Sequence, residues 1–209
     1  MPGWDSSHND YKNAFKTLIE RNLGQDTGRL FHDYFASIFR HLFGKSTDKM
    51  TKTEMVSSWD VFGQDEIVLS LLHPNIPSLP EILGVCGPLY FVEKTRAYSE
   101  LFPEIIPSIS WKDRVHIAKS FLDLAVDLRR SGLHHCDIKE ANMGLSEVND
   151  VVAIHTDLVY SRDRLRGVMM ERVCSSDEQC RLFDCITQCD RKSNKCTNRT
   201  LSNNLQVFW

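Results

Sequence analysis

The sequence predicts an α+β fold that starts with helices, continues with short strands and a long helix, and ends in a cysteine-rich segment. Apolar residues recur at helical spacing up to residue 62, short apolar runs separated by a turn occupy residues 82–93, and a long amphipathic segment follows Ser110. The chain has 209 residues, 42% of them hydrophobic, which is enough to bury at least one core.

The first part of the chain is predicted to contain three helices. One amphipathic segment surrounds Phe15, Leu18, Ile19 and Leu23. The second helix could be capped by Asp26 or Thr27 and stopped by Gly44, and its apolar stripe comprises Leu30, Phe31, Tyr34, Phe35, Ile38, Phe39, Leu42 and Phe43. Thr51 and Glu54 fit a capping box that opens a third helix through Met55, Val56, Trp59 and Phe62.

A helix, a polar loop and a helix together have the outline of an EF-hand. With Glu54 as the twelfth loop position, the first position is Phe43, the third is Lys45 and the sixth is Asp48. Phe43 and Lys45 offer no oxygen ligand for Ca²⁺, and the sixth position lacks the usual Gly. The outline is therefore expected to be degenerate, with no functional Ca²⁺ site.

The middle of the chain alternates short strands with helices. Glu66 to Leu72 is predicted to be a short helix, and Ile82–Val85 and Leu89–Glu93 are predicted strands. Ser110 is the expected N-cap of a long helix that ends at Gly132. The predicted apolar face of that helix comprises Val115, Ala118, Phe121, Leu122, Ala125 and Leu128.

The polar loop after this helix contains side chains of the types that catalytic sites use. Residues 135–142 have the sequence HCDIKEAN, and an apolar run then leads to a second acid, Asp157. Phosphoryl transfer needs a carboxylate near the attacking hydroxyl, oxygen ligands for Mg²⁺ and a cation near the transferred phosphate. Asp137, Asn142 and Lys139 can meet these three needs from one loop.

This layout resembles the large lobe of protein kinases, where an H-R-D-x-K-x-x-N loop precedes a strand and the metal-binding Asp of D-F-G. An ordinary surface turn can contain the same residue types, but the helix before the loop and the strand after it favour the kinase interpretation. The resemblance implies that Asp137 and Lys139 are catalytic and that Asn142 and Asp157 bind Mg²⁺ with ATP.

Two further positions follow from the same resemblance. Kinase small lobes carry an H-P-N-I turn after the helix whose Glu pairs with the ATP-positioning Lys, and here this turn starts at His73. Glu66 is then the candidate for that Glu, although a solvated Glu in the first turn of a helix is equally compatible with the sequence. Glu93 lies where a kinase hinge would hold adenine through its backbone.

The overall composition argues against two broad classes of protein. A formal net charge of −3 without a basic stripe argues against nucleic-acid binding. No apolar run approaches the roughly 18 residues of a membrane span, and no signal peptide follows Met1. We expect no membrane span in this chain.

The cysteines are concentrated near the C-terminus. Five of the seven are Cys174, Cys180, Cys185, Cys189 and Cys196, and the sequon Asn198-Arg199-Thr200 follows. This combination predicts disulfides, a glycan on Asn198 and an oxidising compartment. Zinc binding is less favoured because no C-x-x-C pair is present. The odd count implies that one cysteine pairs elsewhere or stays free, and Cys136 is expected to be a packed thiol.

The catalytic-loop sequence and the cysteine spacing together resemble one family. HCDIKEANMG, the strand that follows it, DLVY and the five cysteines resemble the divergent protein kinase domain 1 family, cysteine-rich kinases of the endoplasmic reticulum lumen, over about residues 31–196. The resemblance implies a kinase fold with C-D in place of R-D, an EF-hand-like insert in the small lobe, a nucleotide and an unknown protein acceptor as partners, and a lumenal location.

Several departures from the kinase pattern leave two hypotheses open. The chain contains no G-x-G-x-x-G and no V-A-I-K strand before Glu66, and D-F-G is replaced by residues 157–159, DLV. We therefore expect a small lobe without its first strands, in a fragment or truncated form of a membrane-anchored protein. A complete form would transfer phosphate from Mg-ATP to protein hydroxyls, and the alternative, a pseudokinase or interaction module, is favoured for this chain alone. The expected parts are a partial small lobe (1–95), a large-lobe core (96–173) and a cysteine-rich segment (174–209).

Overall fold

The computed structural model describes residues 6–23, 30–44, 46, 49–98, 108–201 and 204, without the side chains of 23 and 30–35. Several expectations lie outside these described residues. They are the N-cap at Asp26 or Thr27, the side chains of the stripe between 30 and 35, and the EF-hand positions Lys45 and Asp48.

The chain divides into two compact units. The first consists of residues 1–74 and 81–93, and the second of residues 75–80 and 94–209. Helices and short antiparallel strands occur together along the chain, which confirms the predicted α+β class. None of the helices in the described ranges combines the length and the apolar character needed to cross a membrane.

The first unit is mainly helical and closes with a β-hairpin. Its elements are α1 (His8–Leu23), α2 (Leu30–Phe43), α3 (Lys52–Phe62), α4 (Asp65–Leu72), β1 (Ile82–Cys86) and β2 (Leu89–Val92). Phe15, Phe39 and Phe62 are fully buried at its centre, with ring centroids 5.0–5.3 Å apart. The helical stripes predicted from the sequence thus supply this core wherever their side chains are described.

Local signals set the helix ends in this unit as expected. The Thr51 side chain accepts from the Glu54 amide, and the Glu54 side chain accepts from the Thr51 amide, so both halves of the capping box form. Helix α2 ends at Phe43, and Gly44 follows with a φ of +65°, which favours glycine.

The second unit combines a long helix with small antiparallel sheets. Its first elements are β3 (Arg96–Ala97), α5 (Trp111–Arg130), β4 (Leu133–His135), a 3₁₀ turn (Glu140–Asn142), β5 (Met143–Leu145), β6 (Val151–Ala153), β7 (Val159–Ser161) and α6 (Arg162–Met170). Strands β3, β5 and β6 form one sheet in that order, and β4 pairs with β7.

Helix α5 starts where the sequence predicts, but it buries a different face. The Ser110 side chain accepts from the Asp113 amide and caps the helix. The buried residues are Ile117, Ser120, Leu124, Ala125 and Leu128. The prediction that Val115, Ala118 and Leu122 face the core is wrong, because these three side chains are exposed. The buried set has spacings of three and four residues, whereas Val115 and Leu122 lie on the opposite side of that helix.

The cysteine-rich end has little regular structure and is cross-linked. It starts with a 3₁₀ turn (Asp177–Gln179). Two small hairpins of two-residue strands follow, β8 (Arg181–Leu182) with β9 (Cys185–Ile186) and β10 (Cys189–Asp190) with β11 (Lys195–Cys196). The disulfides are Cys174–Cys189, Cys180–Cys196 and Cys136–Cys185, so all five clustered cysteines are bonded. Cys86 is exposed and free.

Candidate functional site

Two strand pairs bring residues 137–142 close to Asp157. In the β4–β7 ladder His135 lies opposite Val159, and the Cys136 N–H donates to the Leu158 carbonyl at 2.9 Å. On the other side of the loop, β5 pairs with β6, and the Ile154 N–H donates to the Asn142 carbonyl at 3.0 Å. The segment that carries Asp157 is therefore bonded on both flanks to the segment that carries Asp137.

Asp137 is held by the two other polar residues of its loop. The Lys139 Nζ donates to Asp137 Oδ2 at 2.7 Å, and the Asn142 amide donates to the same oxygen at 2.8 Å. Partial burial disfavours the charged form of Asp137, but the hydrogen bonds from Lys139 and Asn142 outweigh it, so the pKa of Asp137 lies below its ordinary value. Asp137 is ionised at neutral pH and is available to accept a proton or to orient a hydroxyl.

The side chain of Asn142 has a defined orientation. Its Nδ2 donates to the backbone carbonyl of Asp137 at 2.8 Å as well as to the carboxylate, and both of these groups can only accept. The amide nitrogen must therefore face Asp137, and the amide oxygen points away from it. Asn142 is buried, so this oxygen is fixed in place.

The donor set fits a magnesium ion. Mg²⁺ prefers oxygen ligands and usually takes only one or two from the protein, keeping waters and phosphate oxygens for the rest. The Asn142 amide oxygen and the Asp157 carboxylate oxygens are donors of the kind that Mg²⁺ prefers. The Asp157 side chain is 61% exposed, with its nearest ion-pair contact at 3.7 Å from His155 Nδ1, so its carboxylate remains open to a hydrated cation.

His135 is a buried residue that accepts a hydrogen bond from the backbone of the loop. The Asp137 N–H donates to its Nδ1 at 3.3 Å, which places the ring proton of the neutral tautomer on Nε2. The side chain is 1% exposed, and burial lowers the pKa of His135 to about 4 despite the carboxylates of Asp137, Asp157 and Asp184 nearby. The ring is neutral at pH 7, and its Nε2 has no hydrogen-bond partner among the described residues.

The cysteine-rich segment clamps the same loop. The Ile138 N–H donates to Asp184 Oδ2 at 2.7 Å, and the Asp184 N–H donates to the Cys136 carbonyl at 2.8 Å. The neighbouring Cys185 is bonded to Cys136, so the expectation of a free, packed thiol at Cys136 is wrong. The odd number of clustered cysteines implied that one of them pairs elsewhere or stays free, and Cys185 pairs with the buried Cys136.

A residue near the C-terminus holds the strand that leads into the loop. Asn204 accepts from the His135 N–H at 3.1 Å and donates to the Leu133 carbonyl at 2.9 Å. Its amide therefore pairs with β4 as a neighbouring strand would. Sequence reasoning found neither Asn204 nor Asp184, because an isolated Asn or Asp in a loop has no local pattern that distinguishes it from a solvated one.

The two small-lobe candidates lie in the first unit. Glu66 is the second residue of α4, and its carboxylate accepts a hydrogen bond from the Tyr90 hydroxyl of β2. Burial and the adjacent Glu66 raise the pKa of Tyr90 to about 12, so this hydroxyl keeps its proton. Glu93 follows β2, and its N–H donates to the Glu81 carbonyl at 3.0 Å, which leaves the Glu93 N–H engaged within its own unit.

The cysteine sulfurs do not form a zinc site. Among the described residues, the sulfurs of Cys174, Cys180 and Cys189 lie within 4.8 Å of one another, as metal ligands would. Each of them is bonded in a disulfide, and zinc binds the thiolate form of cysteine. The proximity is therefore explained by the disulfides, and three bridges are consistent with an oxidising compartment.

Fold and site together define a protein-kinase-like domain. The family model for the protein-kinase domain of FAM69 matches residues 58–208, and the chain belongs to this divergent kinase family. The curated proteins include a probable serine/threonine-protein kinase, fhkC, of Dictyostelium discoideum, which is 25% identical over 114 residues. That match covers 54% of this chain and 19% of the relative, so the chain spans about a fifth of the relative's length. No solved structure matches significantly.

Proposed function

We propose that this chain supplies the metal-binding and acceptor side of a protein-kinase site in the secretory pathway, for phosphoryl transfer from Mg-ATP to protein hydroxyls. The observation that supports it most is the arrangement of Asp137, Lys139 and Asn142, which hydrogen-bond to one another while the Asn142 oxygen points away. The family and the three disulfides support the kinase class and the oxidising location.

The proposed chemistry uses each residue for one task. Asp137 orients the acceptor hydroxyl and takes its proton as the oxygen–phosphorus bond forms and the bond from the γ-phosphorus to the leaving ADP oxygen breaks. Lys139 leaves the Asp137 carboxylate to stabilise charge on the transferred phosphoryl group. Asn142 and Asp157 hold Mg²⁺, which neutralises charge on the nucleotide phosphates when bound.

The second candidate function is a pseudokinase that keeps the fold without turnover. The observations that favour it are the absence of G-x-G-x-x-G from the 209 residues and the DLV sequence in place of D-F-G. Backbone N–H groups of a Gly-rich loop normally cradle the phosphates, and catalysis by kinases depends mainly on positioning and charge stabilisation. We expect this chain alone to bind Mg-nucleotide weakly and to transfer little phosphate.

A paired binding and transfer experiment separates these functions. Mg-ATP binding is measured by calorimetry, and transfer of radiolabelled phosphate to Ser/Thr peptides by scintillation, on the wild type, Asp137→Ala and Asp157→Asn. Asp157-dependent binding of Mg-ATP together with Asp137-dependent transfer of phosphate supports the kinase. In an active form of the protein, Asp137→Ala is expected to lower the rate of transfer by about 10²–10⁴. Because this chain alone is expected to transfer little phosphate, the same assay is run on a chain extended by a Gly-rich loop and a Lys strand. Asp157-dependent binding without transfer in that extended chain supports the pseudokinase. The absence of Mg-dependent binding would refute the proposed metal-binding role of Asn142 and Asp157.

A further inference from the structure

A cavity in the second unit is lined by cations from separate parts of the chain. It has a volume of about 480 Å³ and lies where the end of α5, the start of β4, the N-terminal half of α6, residues 198–200 and Asn204 meet. Arg129, Arg162, Arg166 and Arg199 line it, and no Asp or Glu is among its described lining residues. Since the whole chain has a formal net charge of −3, composition does not explain this concentration of positive charge.

The electrostatic environment of the cavity favours an anion. Arg162 is the first residue of α6, so the positive end of that nine-residue helix faces the same region. His134 also lines the cavity, and burial together with the charge of Arg162 lowers the pKa of His134. Of the four arginines that line the cavity, only Arg166 has an acidic partner in the described ion pairs, Asp163 at 3.6 Å.

The volume of the cavity and the residues that line it indicate the class of ligand that it fits. Guanidinium groups bind phosphate oxygens through two parallel hydrogen bonds, which makes Arg better suited than Lys to a tetrahedral dianion. A cavity of about 480 Å³ is larger than a bare phosphate ion needs. Leu133 and Leu165 supply apolar surface in the same lining, against which an organic group can pack.

We propose that this cavity binds a phosphomonoester, carried either by a phosphorylated protein side chain or by a small phosphorylated molecule. The site is separate from the residues that act in phosphoryl transfer, although β4 contributes His134 to the cavity and continues into His135 beneath the Asp137 loop. Binding here does not require that the chain transfer phosphate. Asn198 lies at the same cavity, so a glycan on it would share the entrance.

The test is calorimetric titration at low ionic strength with inorganic phosphate, O-phosphoserine and serine, without nucleotide. All proteins carry Asn198→Gln so that no glycan interferes, and each is checked for an unchanged thermal unfolding midpoint. Phosphate and O-phosphoserine are expected to bind saturably and serine not at all. Arg129→Gln and Arg162→Gln are each expected to weaken binding about tenfold, the loss typical of one charge-assisted hydrogen-bonded pair.

Arg114→Gln is the matched control, because Arg114 lies on the same helix as Arg129, outside the cavity, and stacks over Trp111. Its affinity for phosphate is expected to be unchanged. Tighter binding of O-phosphoserine than of phosphate supports a phosphomonoester, and equal binding of the two would overturn that ligand class in favour of free phosphate. No saturable binding, or the same affinity in Arg129→Gln, Arg162→Gln and the parent protein, would overturn the proposal.

Discussion

Asn142 donates its side-chain amide to both the backbone carbonyl and the carboxylate of Asp137, each at 2.8 Å. One buried residue thus fixes the conformation of the acid and turns its own amide oxygen outward. Replacing Asn142 should therefore change both the pKa of Asp137 and the stability of the fold. In Asn142→Ala the pKa of Asp137 should rise towards its ordinary value, and the free energy of unfolding should fall by about 1–3 kcal/mol because the part-buried carbonyl and carboxylate of Asp137 lose a hydrogen-bond donor.

Both effects are measurable by NMR titration of the Asp137 carboxyl and by urea denaturation. Gln188→Ala is a suitable control, because Gln188 is exposed and lies outside the loop. An Asp137 pKa that is the same in Asn142→Ala and in the wild type would show that the hydrogen bond seen here does not act on the carboxylate.

The buried His135 predicts a dependence of stability on pH. Its pKa is about 4 in the folded chain and about 6.5 when unfolded, so between these values the unfolded state binds the extra proton. The contribution is fully present above pH 6.5 and is lost as the pH falls towards 4, by about 3 kcal/mol in total at 1.36 kcal/mol per pKa unit.

Urea denaturation at pH 7.0, 5.5 and 4.5 tests this prediction in the wild type and in His135→Gln. The variant should be less stable at pH 7 but should lose much less stability on acidification. His73 and His134 also have lowered pKa values, so they contribute to the same window in both proteins. Parallel pH profiles for the two proteins would exclude His135 as the main source.

The Cys136–Cys185 bridge predicts a coupling between the cysteine-rich segment and the loop of residues 137–142. Replacing both cysteines by Ser should lower the free energy of unfolding of this unit by about 2–5 kcal/mol. Amide hydrogen exchange should accelerate at Ile138 and Asp184, whose N–H groups donate across the clamp. Cys86→Ser removes the exposed free thiol and should change neither quantity. Unchanged exchange at Ile138 in the double variant would argue against the clamp.

The sequon predicts glycosylation. Asn198 is exposed in a segment that follows the last bonded cysteine, so an oligosaccharyltransferase can reach it. When the chain is directed into the secretory pathway of a cultured cell, we expect a mass shift that glycosidase removes and that Asn198→Gln abolishes. A secreted chain of unmodified mass would show that Asn198 is not used.

The sequence predicted those features that depend on neighbouring residues. The capping box at Thr51, the N-cap at Ser110 and the strand that begins at Val151 were all recognisable because each is encoded within a few positions. The loop between Asp137 and Asn142 was recognisable for the same reason, although what these residues do chemically stays a prediction.

Features that depend on tertiary contacts were missed. The partner of Cys185 lies 49 residues earlier in the chain, and no spacing rule distinguishes Cys136 from a packed thiol. The Asp184 and Asn204 side chains act only because the fold returns them to the loop. The buried face of α5 was misassigned because exposed apolar residues such as Val115 and Leu122 shift the apparent stripe.

Asn142 and Asp157 are proposed to hold a divalent cation with a nucleotide beside Asp137. NMR line broadening by Mn²⁺, used in place of Mg²⁺ with a non-hydrolysable ATP analogue, can locate that cation. The amides of residues 137–142 and of Asp157 should broaden selectively, and Asp157→Asn should abolish the effect. Asp150→Asn, which changes an exposed acid paired with His116, should leave it intact. Broadening centred on another part of the chain, or broadening that persists in Asp157→Asn, would contradict a metal site at these residues.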